Sequence, residues 1–177
     1  TGVTAIMNVI PDVLGAQIDA VFTDIRPKAV KIGMVSVPEL IDVIADRLAR
    51  YNAENVVLDP VMVATSGAKL ISDDAVEVMT GKLFPLAKLI TPNIPETEAL
   101  TGISVKSVAD MENAARCIYG KYGCAVLVKG GHSINDANDM LFDGENITWF
   151  SGKRIDNPNT HGTGSVSYTH LRAHETK

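Results

Sequence analysis

Residues 88–102 read KLITPNIPETEALTG, and this stretch predicts one complete strand–turn–helix unit. Residues 88–90 indicate a short strand, which ends at the turn-forming residues Thr91-Pro92-Asn93. Asn93, the last of these, is a residue type that caps the amino end of helices, and Gly102 is a residue type that ends them. We therefore expect a helix over residues 95–100 directly after the strand.

The same alternation extends in both directions along the chain. Strands are predicted at residues 3–9, 29–32, 55–58 and 125–128. Helices are predicted at residues 12–25 and 73–80. Two more are predicted to begin at caps, one at a capping box formed by residues 36–39 and the other at Ser107. Asp143-Gly144 joins two further strands, residues 139–142 and 146–150, as a hairpin. This order predicts an α/β domain with a mostly parallel sheet.

The predicted first helix has an apolar stripe that we expect to face the core. Its members are Leu14, Ile18, Val21, Phe22 and Ile25. In the helix after the Ser36 cap, the residues expected to be buried are Leu40, Ile41, Ile44 and Leu48. Each stripe follows the helical period, so each predicts one buried face.

The composition is that of an ordinary globular domain. The chain has 177 residues, of which 46% are apolar and 21% charged, enough for one domain with a sizeable core. Its net charge of −5 disfavours nucleic acid as a partner. The apolar runs are too short to span a membrane. Cys117 and Cys124 form no disulfide framework and predict buried thiols in a reducing cytosol.

Polar residues follow several of the predicted strands where each strand ends. They are Asp59, Asn93 with Glu96, Lys129 with Gly130, and the small-residue loop NTHGTGS at positions 159–165. In open α/β sheets, ligands bind at the carboxyl ends of the strands. We therefore expect these residues to share one binding edge.

These residue types together suit phosphoryl transfer. The chain has no G-x-x-x-x-G-K-[ST] loop and no G-x-G-x-x-G after a strand, which argues against the two commonest nucleotide motifs. Asp59 and Glu96 are carboxylates of the kind that hold Mg²⁺ beside substrate phosphates. Lys129 can pair with phosphate oxygens, and the backbone N–H groups of the glycine loop can bind an anion.

Each residue also has a purely structural interpretation. Asp59 before Pro60 can simply end a strand. The spacing of Asn93 and Glu96 is that of a capping pair, and spacing alone favours the cap. Lys129 can be a solvated strand end, and Met34 can belong to the core. Only the combination of these residues at one edge favours a functional site.

The segments VKIGM, VVLDPVMVATSG, LITPNIPETEALTG, VLVKGGH and NTHGTG occur in an order and spacing that resemble the hydroxymethylpyrimidine/phosphomethylpyrimidine kinases. This family has the ribokinase-like fold, and the resemblance extends to Gly164. It implies an incomplete three-layer fold and a cytoplasmic enzyme that uses ATP and Mg²⁺. The implied reaction phosphorylates 4-amino-5-hydroxymethyl-2-methylpyrimidine, and then its monophosphate, in thiamine diphosphate biosynthesis. The full-length parent is expected to be a homodimer.

The resemblance also implies a role for individual residues. It places Asp59 and Glu96 near Mg²⁺, and Asn93 with Glu96 in the motif that organises Mg²⁺ and the ATP phosphates. The other positions that it implies are Lys129 and Gly130 on the nucleotide side, Met34 and Val61 in the pyrimidine pocket, and Gly162, Thr163 and Gly164 in the anion hole. Position 165 follows that hole, where the family has its catalytic proton acceptor.

The chain departs from the family pattern at both ends. Position 165 is Ser, where this branch has Cys and ribokinases have Asp, and a serine hydroxyl is a poorer base. Compared with the family, the sequence also shows neither the first strand nor the helices beyond the anion hole. Residues 1–164 are expected to form a partial kinase domain. Residues 165–177 resemble a non-native tail. We expect this chain to be inactive as it stands.

Two alternatives stay open from the sequence. The first is pyridoxal kinase, which shares the architecture and acts on a related ring alcohol. The second is a non-catalytic nucleotide-binding fragment, which Ser165 favours. Competition between the pyrimidine and pyridoxal would distinguish a pyridoxal kinase from a pyrimidine kinase. ATP binding without turnover would support the second alternative.

Overall fold

Helices and strands alternate through the computed structural model, which describes residues 7–62, 70–130 and 138–151. The helices are α1 (Pro11–Asp24), α2 (Pro38–Arg50), α3 (Asp73–Val78), α4 (Ile94–Thr101) and α5 (Val108–Tyr122). The strands are β1 (Val30–Ile32), β2 (Val56–Leu58), β3 (Leu89–Ile90), β4 (Ala125–Val128), β5 (Asp139–Phe142) and β6 (Ile147–Phe150).

The strands form one sheet whose spatial order follows the chain, from β1 to β6. Strands β1 to β4 pair in parallel. Strands β5 and β6 continue the sheet in antiparallel pairs. The predicted α/β class, the mostly parallel sheet and the final hairpin are therefore confirmed.

The strand order indicates that the connecting helices share one face of the parallel strands. Crossovers between parallel strands are right-handed almost without exception, and in this order right-handed crossovers all fall on the same side. Burial alternates accordingly, since Val56, Leu58 and Ile90 are buried while Val57 and Leu89 are only half-buried. The described residues thus provide the sheet and one helical layer of the three-layer fold that the resemblance implies.

Helix α4 begins and ends where its local signals predict. Asn93 is the N-cap, and a reciprocal capping box joins it to Glu96. Gly102 ends the helix in the left-handed conformation at φ 72°, which glycine adopts without a Cβ penalty. Helix α5 is likewise capped by Ser107 and ended by Gly123.

Some predicted details are wrong. Helix α2 has Val37 as its N-cap, with no side-chain cap bond, so the capping box predicted at Ser36 does not form. Of the stripe predicted for the first helix, Val21 and the C-cap residue Ile25 are exposed, whereas Phe22 is buried, as is Gly15. The reason is that α1 packs mainly against a single neighbour, α2, and one contact covers a narrower stripe.

Two further predictions concern element boundaries. Residues 7–10 form no strand, and the rest of the strand predicted over residues 3–9 lies outside the described residues. The helix predicted over residues 73–80 keeps α-geometry only to Val78 and continues as a π-helical turn, Met79–Leu83. In the described ranges, none of the helices has both the length and the apolar character to cross a membrane.

The turn of the β5–β6 hairpin provides a test of the fold. Gly144 has φ 105°, a conformation that strains residues with a Cβ. A Cβ placed there would also lie 2.3 Å from the Tyr119 ring. We expect Gly144→Ala to lower the free energy of unfolding by about 1–3 kcal/mol in urea titrations. The exposed neighbour Glu145 provides the control, and a Gly144→Ala protein as stable as the Glu145→Ala control would contradict this turn geometry.

Candidate active site

Two charged residues that are distant in sequence meet at the carboxyl edge of the sheet. Asp59 follows β2 and Lys129 follows β4, and the Lys129 Nζ donates to Asp59 Oδ1 at 2.8 Å. Backbone hydrogen bonds fix the residues that follow both strands. Asp59 N donates to Ile32 O at 2.9 Å, and Lys129 N donates to Pro92 O at 2.8 Å. Sheet pairing therefore brings these two predicted site residues together.

The capping box of α4 fixes the second carboxylate. The Asn93 N–H donates to Glu96 Oε2 at 2.8 Å, and the Glu96 N–H donates to Asn93 Oδ1 at 2.8 Å. Glu96 is only 2% exposed. The structural interpretation of this pair, a helix cap, is thus confirmed. Only one of the two carboxylate oxygens is needed for it.

Glu96 belongs to the same electrostatic cluster as Asp59 and Lys129. Burial is the largest influence and raises the pKa of Glu96 above its ordinary value. The backbone N–H groups of Asn93 and Met62 and the charge of Lys129 oppose this rise, while the charge of Asp59 adds to it. Burial therefore disfavours the ionised form of Glu96 relative to the protonated form, and nearby positive charge reduces this effect.

Gly130 occupies a position where a side chain does not fit. Its N–H donates to Asp139 Oδ1 at 2.8 Å, which ties the end of β4 to the start of β5. A Cβ at residue 130 would lie 2.0 Å from the backbone oxygen of Asn138. The close approach of two backbones accounts for glycine here, whatever its role toward a nucleotide.

The two residues predicted for the substrate pocket lie at different strand ends. Met34 follows β1 and is 51% exposed, so it is not part of the core. Val61 is half-buried, and its N–H donates to Asp59 O at 2.8 Å. Gly162, Thr163, Gly164 and Ser165, together with the predicted tail, lie outside the described residues.

Lys31 is a member of this cluster that the sequence analysis missed. Its Nζ lies 3.7 Å from Asp59 Oδ2. A signal was present, because Lys31 is a charged residue within the apolar strand VKI. Its relation to Asp59 follows only from the register, which sets Lys31 against Val57, two residues before Asp59.

The donor set suits a magnesium ion that is shared with phosphates. In the part of the chain that the structure describes, no group of three or more His, Cys, Asp or Glu side chains could enclose a metal. Asp59 and Glu96 provide two carboxylates. Mg²⁺ is commonly held by one or two carboxylates and completed by water and substrate phosphates. The residues present fit that mode of binding.

Solved structures define the class of protein. A phosphomethylpyrimidine kinase from Clostridium difficile superposes with a TM-score of 0.80 at 42% identity, covering 85% of this chain and 65% of that one. Bacillus subtilis pyridoxal kinase, solved as an ADP complex, superposes with a TM-score of 0.80 at 31% identity, covering 90% of this chain and 60% of that one. The chain has the fold of these ribokinase-like kinases.

The sequence comparisons define the family within that class. The phosphomethylpyrimidine kinase family matches residues 1–175, and the chain belongs to that family. The hydroxymethylpyrimidine/phosphomethylpyrimidine kinase of Rhizobium meliloti is 46% identical over 165 residues, which cover 92% of this chain and 62% of that protein. The chain thus spans less than two thirds of each relative named here. The family match includes most of residues 165–177, whose predicted non-native character stays a prediction.

Proposed function

We propose that this chain belongs to an ATP- and Mg²⁺-dependent kinase of thiamine diphosphate biosynthesis. Its substrates would be 4-amino-5-hydroxymethyl-2-methylpyrimidine and the corresponding monophosphate. The observation that carries the proposal is the meeting of Asp59, Lys129 and Glu96 at one edge of the sheet. The name of the Rhizobium meliloti relative supports the pyrimidine substrate.

Each described residue has a proposed role that follows from its chemistry. Lys129 pairs with phosphate oxygens, to which an ammonium group donates well. Asp59 and the other oxygen of Glu96 hold Mg²⁺, with Asn93 fixing the Glu96 carboxylate. When bound, the ion would neutralise phosphate charge. Gly130 lets the backbone approach the nucleotide side of the site, and Met34 and Val61 contact the pyrimidine ring.

The proposed roles of the glycine loop rest on the resemblance. Gly162, Thr163 and Gly164 would donate backbone N–H groups to the transferring phosphoryl group. Ser165 stands where the proton acceptor is expected. Because an acceptor contributes roughly 10²–10⁴ to a rate, we propose that this chain binds Mg²⁺ and ATP but turns over slowly or not at all.

A second candidate function is phosphorylation of pyridoxal. It is favoured by the pyridoxal kinase from Bacillus subtilis, which superposes as closely as the pyrimidine kinase does. Its lower identity, 31% against 42%, makes it the less favoured candidate. We further propose a cytoplasmic location and a homodimeric full-length protein.

The test measures binding of Mg²⁺ with ATP by calorimetry in single variants. We expect Lys129→Met and Asp59→Asn each to weaken binding by about tenfold or more, since hydrogen bonds to charged groups contribute about 1.5–3 kcal/mol. The exposed residues Lys106 and Asp24 provide matched controls, Lys106→Met and Asp24→Asn, which should bind as the unsubstituted chain does.

Two results would contradict the proposal. One is an unsubstituted chain that does not bind Mg²⁺ with ATP, and the other is equal affinity in all four variants. Competition between the pyrimidine and pyridoxal for the bound complex then separates the two candidate substrates. Rapid turnover by the chain as it stands would contradict the expectation for Ser165.

A further inference from the structure

Lys31 lies on the same face of the sheet as Asp59. Parallel pairing sets Lys31 against Val57, and side chains two residues apart on a strand point to the same face. Lys31 is half-buried, and its neighbours Val30 and Ile32 are apolar. A lysine in such a strand loses hydration and side-chain freedom, so a specific role is expected to compensate.

The two lysines approach different oxygens of Asp59. Lys129 Nζ lies 2.8 Å from Oδ1, and Lys31 Nζ lies 3.7 Å from Oδ2. The Asp59 side chain is only 16% exposed, so water has limited access to it. Lys129 is thus the close partner of this carboxylate, and Lys31 is a second, more distant one.

The proposed function requires Lys129 to do two things. It pairs with Asp59 in the structure, and it must turn toward phosphate oxygens when the nucleotide binds. That movement would take Lys129 away from Asp59 Oδ1, which would then be free for the proposed Mg²⁺. Oδ2 would still need a partner, because an unpaired polar atom with so little exposure to water is costly.

We propose that Lys31 is a positioning residue, which keeps the Asp59 carboxylate paired and oriented while Lys129 pairs with the phosphate. This inference rests on the proposed function and adds to it a residue on β1. Lys31 acts through Asp59 and has no direct contact with the nucleotide. Its contribution is therefore larger in the bound state, when Lys129 is engaged elsewhere, than in the free state.

A structural ion pair would behave differently. It would contribute equally with and without nucleotide, so its loss would lower stability and leave affinity unchanged. The two possibilities are separated by measuring both quantities in the same variants. Lys31→Met keeps most of the side-chain stem and removes the charge, whereas Lys31→Arg keeps the charge.

The experiment measures the affinity for Mg²⁺ with ATP by calorimetry and the urea midpoint without ligand. We expect Lys31→Met to weaken binding roughly tenfold. The midpoint should change little, because without ligand Asp59 keeps its closer partner, Lys129, at 2.8 Å. Lys31→Arg should bind within about threefold of the unsubstituted chain. In an Asp59→Asn background, Lys31→Met should cause no further loss.

Each other outcome overturns the inference in a distinguishable way. Unchanged binding by Lys31→Met overturns the role of Lys31 and leaves the proposed function standing. An equal loss in the Asp59→Asn background would show that Lys31 acts on the nucleotide directly. A Lys31→Met chain that does not fold would show a structural role in the free state. No binding by the unsubstituted chain would overturn the proposed function and this inference together.

Discussion

Replacing Gly130 with alanine will destabilise the chain and disrupt the candidate site. The added Cβ would lie 2.0 Å from the Asn138 oxygen and 2.9 Å from its carbonyl carbon. Both are backbone atoms, which no rotamer change can move aside. The ends of β4 and β5 must separate, and the bond from Gly130 N to Asp139 is lost with them. We expect a decrease of about 3 kcal/mol or more in the free energy of unfolding, measured in urea.

Gly120 provides the matched control for this substitution. It lies on α5, and apart from its chain neighbours and the backbone of its own helix no atom lies within 4 Å of the position of an added Cβ. Because alanine is the better helix former, Gly120→Ala should gain about 0.5–1 kcal/mol. The affinity for Mg²⁺ with ATP should fall only in the Gly130 variant, since Lys129 precedes it. An alanine at position 130 that leaves stability unchanged would show that the two backbones do not approach as described.

The second large effect is expected at Glu96, where the cap and the proposed metal site share one side chain. Glutamine can also accept the hydrogen bond from Asn93 N, so Glu96→Gln should retain the capping box. It removes the charge that Mg²⁺ needs. We therefore expect affinity for Mg²⁺ with ATP to fall about tenfold or more, while the fold is retained.

The pH dependence of the free energy of unfolding should reveal the titration of Glu96. Because burial raises the pKa of Glu96 above 4.5, the folded state binds its proton more tightly than the unfolded state does. This contribution to stability is fully present below pH 4.5 and is lost as pH rises through the raised pKa. Glu96→Gln has no such loss. The variant should match the unsubstituted chain in acid and become the more stable of the two at neutral pH.

Glu98 is the control for both measurements. It lies on the same helix and accepts a hydrogen bond from Val105 N at 2.7 Å through Oε1. Glu98 has no part in the proposed metal site, so Glu98→Gln should leave the nucleotide affinity unchanged. If Glu96→Gln binds Mg²⁺ with ATP as tightly as Glu98→Gln, the proposed metal role is wrong and the carboxylate only caps the helix.

Several local signals were read correctly from the sequence because their causes are local, although the capping box predicted at Ser36 does not form. The cap at Asn93, the glycine that ends α4 and the hairpin turn each depend on a few neighbouring residues, and the structure has all of them. The α/β class followed from the alternation of such units. The stripe on α1 was misjudged because burial depends on the neighbouring helix, which the helical period does not reveal.

The site could be predicted only as an edge of the sheet. Sequence reasoning placed Asp59 and Lys129 at that edge, but not in contact, since their contact depends on strand order. Lys31 was missed because its relation to Asp59 follows from the register of β1 and β2. Gly130 was assigned to a nucleotide, whereas the structure adds a steric reason, the approach of Asn138, that no local pattern contains.

The distance in sequence between the two members of the charged pair has a consequence for folding. Asp59 and Lys129 are 70 residues apart, and β3 must already lie between their strands before they can meet. Contacts of such long range form slowly, because the chain must first lose the entropy of closing a large loop. A chain in which the sheet is only partly assembled would therefore lack the Asp59–Lys129 ion pair. A ligand of this pair would stabilise only molecules in which β2, β3 and β4 are in register, so binding would draw the population toward the completed sheet.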